Sequence, residues 1–365
     1  MSDELHLAVA LDGYGWDPQA WRTTLATDPD TPPVLSGRYW ADLAATAERG
    51  LLDFLTVDDT LMPQIGRGQR IVRERLAGRG DAVLIAARIA PATRHIGLIP
   101  VATVTHTEPF HISKSIATLD YVSYGRAGWQ PRISSTAHEA ALFGRRASSR
   151  YGLFDEAVDY VEVVRRLWDS WEDDAIIRDA ATGRYVDTDK LHYIDFSGKY
   201  FSVKGPSITP RPPQGQPVVA ALAHAGSVYE FASASADLVF ITPKDEASLR
   251  GILDEVNAAG GAHLKVFADV LVSFGGAGDP RSDALNFTGG ATELVEMLLE
   301  WQRLGIDGAR LRPAVNVADL PVIVDDVVPL LQRAKRFRSH YIDGETLRAR
   351  LGLSLAPNRY AKVVS

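Results

Sequence analysis

Residues 94–135 read RHIGLIPVATVTHTEPFHISKSIATLDYVSYGRAGWQPRISS. The run from Ile96 to Val104 is apolar, of strand length and rich in β-branched residues. The polar cluster Thr105-His106-Thr107-Glu108-Pro109 breaks it, and a helical pattern follows with Ile112, Ile116 and Leu119 on one face. Gly125 punctuates the chain before a second strand, Arg126 to Gln130. Strand, polar loop, helix, turn and strand make one βαβ unit, which requires a parallel sheet covered by helices. In such sheets chemistry gathers where strands end, here Thr103 to Glu108 and Trp129 to Ser135.

Working outward, Leu5 to Leu11 reads as a first buried strand, left through the turn Asp12-Gly13-Tyr14-Gly15-Trp16. Ser36 is placed to cap a helix with apolar face Tyr39, Trp40, Leu43, Ala44 and Ala47, and Gly50 suits its C′ position. Asp53 to Val57 forms a second strand ending at Asp58-Asp59-Thr60. The basic, glycine-rich stretch 64–80 is either a solvated loop or a lid for an anionic substrate or phosphate. Ala82 to Ala90 is a short apolar helix stopped by Pro91. A helix from about Arg150 to Trp171 turns Val158, Val161, Leu167 and Trp168 inward, and LHYIDFSGKYFSV (191–203) folds as a hairpin around Ser197-Gly198. Further strands are expected at Val218 to Leu222, Asp237 to Thr242, Leu264 to Ser273 and Gly308 to Arg312. Eight strands separated mostly by helices give the α/β class and a (β/α)₈ TIM barrel. We expect one domain over 1–365, with an insertion region at about 131–216 and a C-terminal arm at about 334–365, packed on the barrel or on a neighbouring subunit.

Composition narrows the function. At 365 residues the chain fits one barrel with insertions, and 46% hydrophobic with 23% charged residues is globular. A formal charge of −7 disfavours a nucleic-acid partner, whose phosphates need a basic face. No apolar run is long enough for a membrane span, and the start MSDELHLAVAL carries no secretion signal, so a cytoplasmic location is expected. With Cys 0 there is no disulfide, thiolate nucleophile or Cys-ligated metal. HExxH, GxSxG, Walker and dinucleotide fingerprints are all missing, so neither a metal site nor a seat for NAD(P)H is legible.

Five ordered blocks carry a family resemblance: ERGLLDFLTVDD (48–59), residues 94–130, FDEAVDYVEVVRRLWDSWEDDA (154–175), LHYIDFSGKYFSVKGPSITPRPPQGQPVV (191–219) and DDVVPLLQRAKRFRSHYIDGETLRARLGL (325–353). Together they resemble the bacterial-luciferase-like flavin monooxygenases, in the branch of the nitrilotriacetate, dibenzothiophene-sulfone and pristinamycin enzymes. The resemblance implies the same barrel, a reduced FMN cofactor delivered by a separate flavin reductase, and O₂ addition at the flavin C4a. It also implies a small organic substrate and a homo-oligomer. A deazaflavin-dependent oxidoreductase, or a catalytically silent flavin- or ligand-binding barrel, are the alternatives.

The same resemblance marks residues. Asp59 matches an acidic position beside the isoalloxazine, or else caps a helix. Thr103 matches a small hydroxyl facing the flavin, or is an ordinary strand residue, and together with Asp59 it is expected to line one cavity. His106 stands where relatives carry a tyrosine and is either an acid/base group or a surface-loop histidine. Glu108 caps the following helix or belongs to the site. Gln130 replaces a flavin-contacting asparagine, keeping the amide but carrying it one carbon further. Tyr151, in the pattern RYxxxDE, matches a tyrosine near the flavin phosphate, or packs at a helix start. In ALAHAGSVYEFA (221–232) the family's phosphate serine falls on Ala225 in ungapped register, and a two-residue slip brings Gly226 and Ser227 into place.

Overall fold

The computed structural model of the chain describes residues 4–62, 71–144, 152–224, 226–276, 278–279 and 281–361. Eight apolar runs become the strands β1 (His6–Leu11), β2 (Phe54–Val57), β3 (Gly97–Thr103), β4 (Gly128–Arg132), β5 (Val218–Ala223), β6 (Leu238–Ile241), β7 (Lys265–Val272) and β8 (Gly308–Pro313). Each pairs in parallel with its neighbour in sequence, and β8 pairs back onto β1 through His6↔Gly308 to Val9↔Leu311, closing the barrel. All eight expected strands are present. The fourth begins two residues later than the sequence pattern suggests.

Alternation along each strand separates two cores. Outward residues such as Leu7, Leu55, Leu98, Val219 and Val239 meet the surrounding helices. The helix Gly37–Arg49 buries Tyr39, Trp40, Leu43, Ala44 and Ala47, and the Ser36 hydroxyl accepts from the Arg38 amide at its start. Gly50 does not take the left-handed cap conformation expected of it: its φ is −79°, and Leu51 adopts φ 59° instead. Glycine is needed at 50 for closeness, because a Cβ there would stand 2.6 Å from Val324 Cγ2. The helix Leu153–Asp169 buries Val161, Leu167 and Trp168 as its period implies.

The inward residues of the lower half form a second core. Ala8, Phe54, Ile99, Val218, Ala220, Leu238, Phe240 and Phe267 pack there with Leu347 and Leu351 from the tail. Phe54 and Phe267 lie 5.3 Å apart between ring centres, and Phe240 meets Phe267 edge-on at 6.2 Å. The C-terminal segment therefore plugs the bottom of the barrel. Gly97 makes room for it, since a Cβ there would stand 2.6 Å from Leu347 Cδ1. Arg348 pairs with Asp237 at 2.8 Å and Arg338 with Asp53 at 2.6 Å, while Arg350 donates to the carbonyls of Asp53 and His95. Burying one leucine stabilises by about 1.5–3 kcal/mol, so two plug leucines matter on the scale of a domain's net stability.

Between β4 and β5 the chain adds two hairpins. The one at Phe196–Ser197 and Ser202–Val203 agrees with the sequence pattern. The other, Ile176–Asp179 with Arg184–Val186, has a register irregularity and was not legible. A short strand, Leu285–Phe287, also adds to β7 outside the closed ring. No helix among the described residues is long and apolar enough to cross a membrane.

Candidate active site

The C-terminal ends of the strands form a mouth whose side chains are polar and mutually tied. On β2 the inward residues are Phe54 and Thr56, and the same alternation brings Asp58 inward just past the strand. Its carboxylate accepts from Arg79 at 3.0 Å and from Arg132, at the end of β4, at 3.4 Å. Arg79 also grips Asp12, at the end of β1, with two bonds of 2.6 and 2.8 Å. Burial pushes the Asp12 carboxyl up to about 6, outweighing the downward pull of Arg79, and Asp58 nearby adds to the rise. Arg79 belongs to the stretch 64–80. The solvated-loop reading fails for it: its side chain is largely buried and bound to two carboxylates. Residues 64–70 of that stretch lie outside the described residues.

One layer deeper, charges cross the barrel itself. Arg310, inward on β8, grips Asp269 of β7 with bonds of 2.6 and 2.5 Å, and Arg312 pairs with the same carboxylate. Asp269 is fully buried between these two guanidiniums. Arg310 also donates to Gln130 Oε1 at 2.9 Å and lies 3.7 Å over the Phe240 ring. Arg312 reaches on to Asp283 at 2.6 Å, which in turn lies 3.4 Å from His224 just past β5. This layer floors the mouth and separates it from the apolar plug below.

The residues singled out from sequence fall into three groups. Thr103, Gln130, Gly226 and Ser227 stand at the mouth. Thr103 lies on the inward face of β3 with Ile99, in register with Arg132, and is buried except for 8% of its surface. Gln130 is inward and 5% exposed. Gly226 and Ser227 open the helix Gly226–Ser235 directly after β5, exposed, in the geometry that offers backbone N–H groups to an anion.

Asp59 and His106 are placed differently. Asp59 turns its carboxylate to the start of the next helix and accepts from the Ala82 amide at 3.1 Å. Burial holds its pKa above the usual carboxylate value. Of the Asp58-Asp59 pair, Asp58 is the one tied across the mouth to Arg79 and Arg132. His106 follows β3 with a left-handed φ of 71°, and its ring stacks on Phe143 at 5.4 Å. The neighbouring threonines fix that loop: Thr105 accepts from the Ser134 amide, and Thr107 meets both the Thr103 carbonyl and the Tyr160 hydroxyl. Glu108 occupies the N-cap position of the helix Pro109–Val122, but its side chain makes no capping bond there. Tyr151 and Ala225 lie outside the described residues.

Sequence reasoning missed Asp12, Asp58, Arg79, Arg132, Asp269, Arg310 and Arg312. A signal was available for the last two. In GARLRP (308–313) two arginines occupy alternate positions of a strand that is otherwise buried, which puts both on one face. Charges on the inner face of a buried barrel strand must be paired.

Comparison with known proteins agrees with this architecture. The model of the luciferase-like monooxygenases matches residues 20–284, more than half of the chain. The chain belongs to the luciferase-like monooxygenase family. It is 29% identical to the N-acetyl-S-(2-succino)cysteine monooxygenase of Bacillus subtilis, over 98% of this chain and 99% of that protein. It is 32% identical to the dibenzothiophene-sulfone monooxygenase of Rhodococcus erythropolis, over 93% of this chain and 76% of that one. In fold it is similar to a riboflavin lyase crystallised with modified FMN and riboflavin, with a TM-score of 0.86, 22% identity and 96% of each chain covered. Its relatives are named monooxygenases, and this family uses reduced flavin.

Proposed function

We propose that the chain is the oxygenase component of a two-component system: it takes reduced FMN from a separate flavin reductase and uses O₂ to oxygenate a small organic substrate. The observation that carries this reading is a pair of orphaned polar groups inside the mouth. The Thr103 hydroxyl and the Gln130 amide nitrogen have no hydrogen-bond partner among the described residues and keep some exposure, in residues otherwise only 8% and 5% exposed. A donor or acceptor left unpaired yet open at the mouth is available to the polar atoms of a ligand. A flavin's pyrimidine edge offers the matching polar atoms, and its phosphate matches the helix start at Gly226 and Ser227.

When bound, reduced FMN would supply the oxygen activation, at its C4a carbon. The protein's part is to hold the ring and the phosphate and to keep water out. Thr103 and Gln130 would hold the pyrimidine edge, and Gly226 with Ser227 the phosphate. The Arg310–Asp269–Arg312 floor sets the depth to which the ring enters. His106, its ring fixed against Phe143, is the acid/base candidate of this reading.

The test is turnover with FMN, NADH, a flavin reductase and O₂ over a panel of small organic sulfur and nitrogen compounds. Substrate-dependent oxygen uptake that needs the reductase is the expected result. Oxygen uptake that no compound changes, with FMN bound, would leave a flavin-binding barrel and defeat the oxygenase reading.

A further inference from the structure

Gln130 stands on β4 and Arg310 on β8, four strands apart in a closed ring of eight, so their hydrogen bond spans the barrel. Arginine can only donate, so the amide atom facing Nη1 must be the oxygen. That fixes the other half of the amide: Nε2 and its two N–H groups face away from Arg310, and no described residue accepts from them. The guanidinium itself is held in place. Asp269 binds it through Nε and Nη2, the Phe240 ring lies beneath it, and Arg312 shares the same carboxylate from the side.

We propose that Arg310 is a positioning residue that turns the Gln130 amide so that its N–H₂ group, not its oxygen, meets the ligand, making the floor of the mouth a hydrogen-bond donor selective for an electron-rich, anionic edge. The inference rests on the flavin reading above and deepens it: the site prefers the reduced anion of FMN to the oxidised form. Reduction places negative charge on the pyrimidine edge, and a donor fixed by a buried cation grips that charge more strongly than it grips a neutral carbonyl. An asparagine at this position would fall one carbon short of Arg310, so Gln130 and Arg310 act as a pair.

The experiment is an anaerobic titration of the full chain with oxidised and with reduced FMN, followed by the midpoint potential of the bound flavin. Three variants accompany the wild type: Gln130→Glu, Arg310→Met and Arg310→Lys. Gln130→Glu keeps an acceptor for Arg310 and removes the donor, so thermal stability is retained while reduced-FMN affinity falls about 10- to 100-fold, as expected for losing a charge-assisted bond. The potential falls with it. Arg310→Met lets the amide turn over and lowers the ratio of reduced to oxidised affinity in the same direction. Arg310→Lys keeps a donor-only partner and restores the larger part of that ratio. If Arg310→Met does not fold, Gln130→Glu and Arg310→Lys decide between them. The inference is overturned if Gln130→Glu, and Arg310→Met where it folds, keep the wild-type affinity ratio and potential. A wild type that binds FMN in neither state overturns the flavin reading itself, a separate and recognisable outcome.

Discussion

The two ends of this barrel are built on opposite chemistry. The lower interior is three phenylalanines, small aliphatic residues and two leucines inserted by the tail. The upper interior is a lattice of Arg310, Arg312, Asp269 and Gln130 under a rim of Asp12, Asp58, Arg79 and Arg132. Below, what matters is volume: the space must be filled, and any apolar side chain of the right shape fills it. Above, what matters is the identity of each polar atom, because an unpaired charge in a closed interior is expensive. One end fills the barrel with apolar volume, and the other lines its mouth with paired charges.

Breaking the upper lattice should have the largest effect. Asp269→Asn is nearly isosteric, yet it leaves the buried Arg310 guanidinium without a counter-charge and Arg312 with only the half-exposed Asp283, and we expect a loss of about 3–5 kcal/mol in urea unfolding. Leu347→Ala, below, should cost about 2–5 kcal/mol by opening a cavity, without changing FMN affinity in the folded fraction. Leu347→Met at the same place should cost under about 1.5 kcal/mol. An isosteric change ruinous above and a volume-conserving change mild below would together sharpen the contrast.

A third prediction uses pH. Burial raises the Asp12 carboxyl from its ordinary value of 3.8 to about 6, against the opposing Arg79. The folded chain thus holds this proton where the unfolded chain has lost it. The stability this contributes is complete below pH 3.8 and is lost as pH rises through about 6. Asp12→Asn has no such proton to lose. Between pH 4 and 7 the variant should therefore gain on the wild type by up to ~3 kcal/mol, read as diverging urea midpoints. Parallel midpoints across that range would show that Asp12 is ionised throughout.

The smallest effect on stability should come from the exposed Ser227. Ser227→Ala should leave urea unfolding within about 0.5 kcal/mol of wild type while weakening FMN about tenfold, with riboflavin, which lacks the phosphate, unaffected. Equal loss for both flavins would move the phosphate elsewhere.

The fold was legible because its signals are local. Most barrel strands are largely apolar runs, and the helix after Ser36 shows its buried face in five residues of helical spacing. What was not legible depends on partners distant in sequence. Asp58 and Asp59 look equivalent as a dipeptide, and strand alternation together with Arg79 and Arg132 tells them apart. Arg79 sits in a glycine-rich basic stretch that reads as solvated until Asp12, 67 residues earlier, is seen to grip it. Gly50 was assigned a turn role by pattern, whereas Val324 decides that it must be small. The alternating Arg310 and Arg312 were readable as one face, but not as the partners of Asp269 and Gln130.

The claim on which the rest depends is that the mouth above the Arg310 floor receives reduced flavin. An anaerobic titration of the purified chain with FMN, followed by fluorescence, tests it most directly. Saturable binding at one FMN per chain, tighter in the reduced state than in the oxidised, is the predicted result. No saturable binding of FMN in either redox state would contradict it.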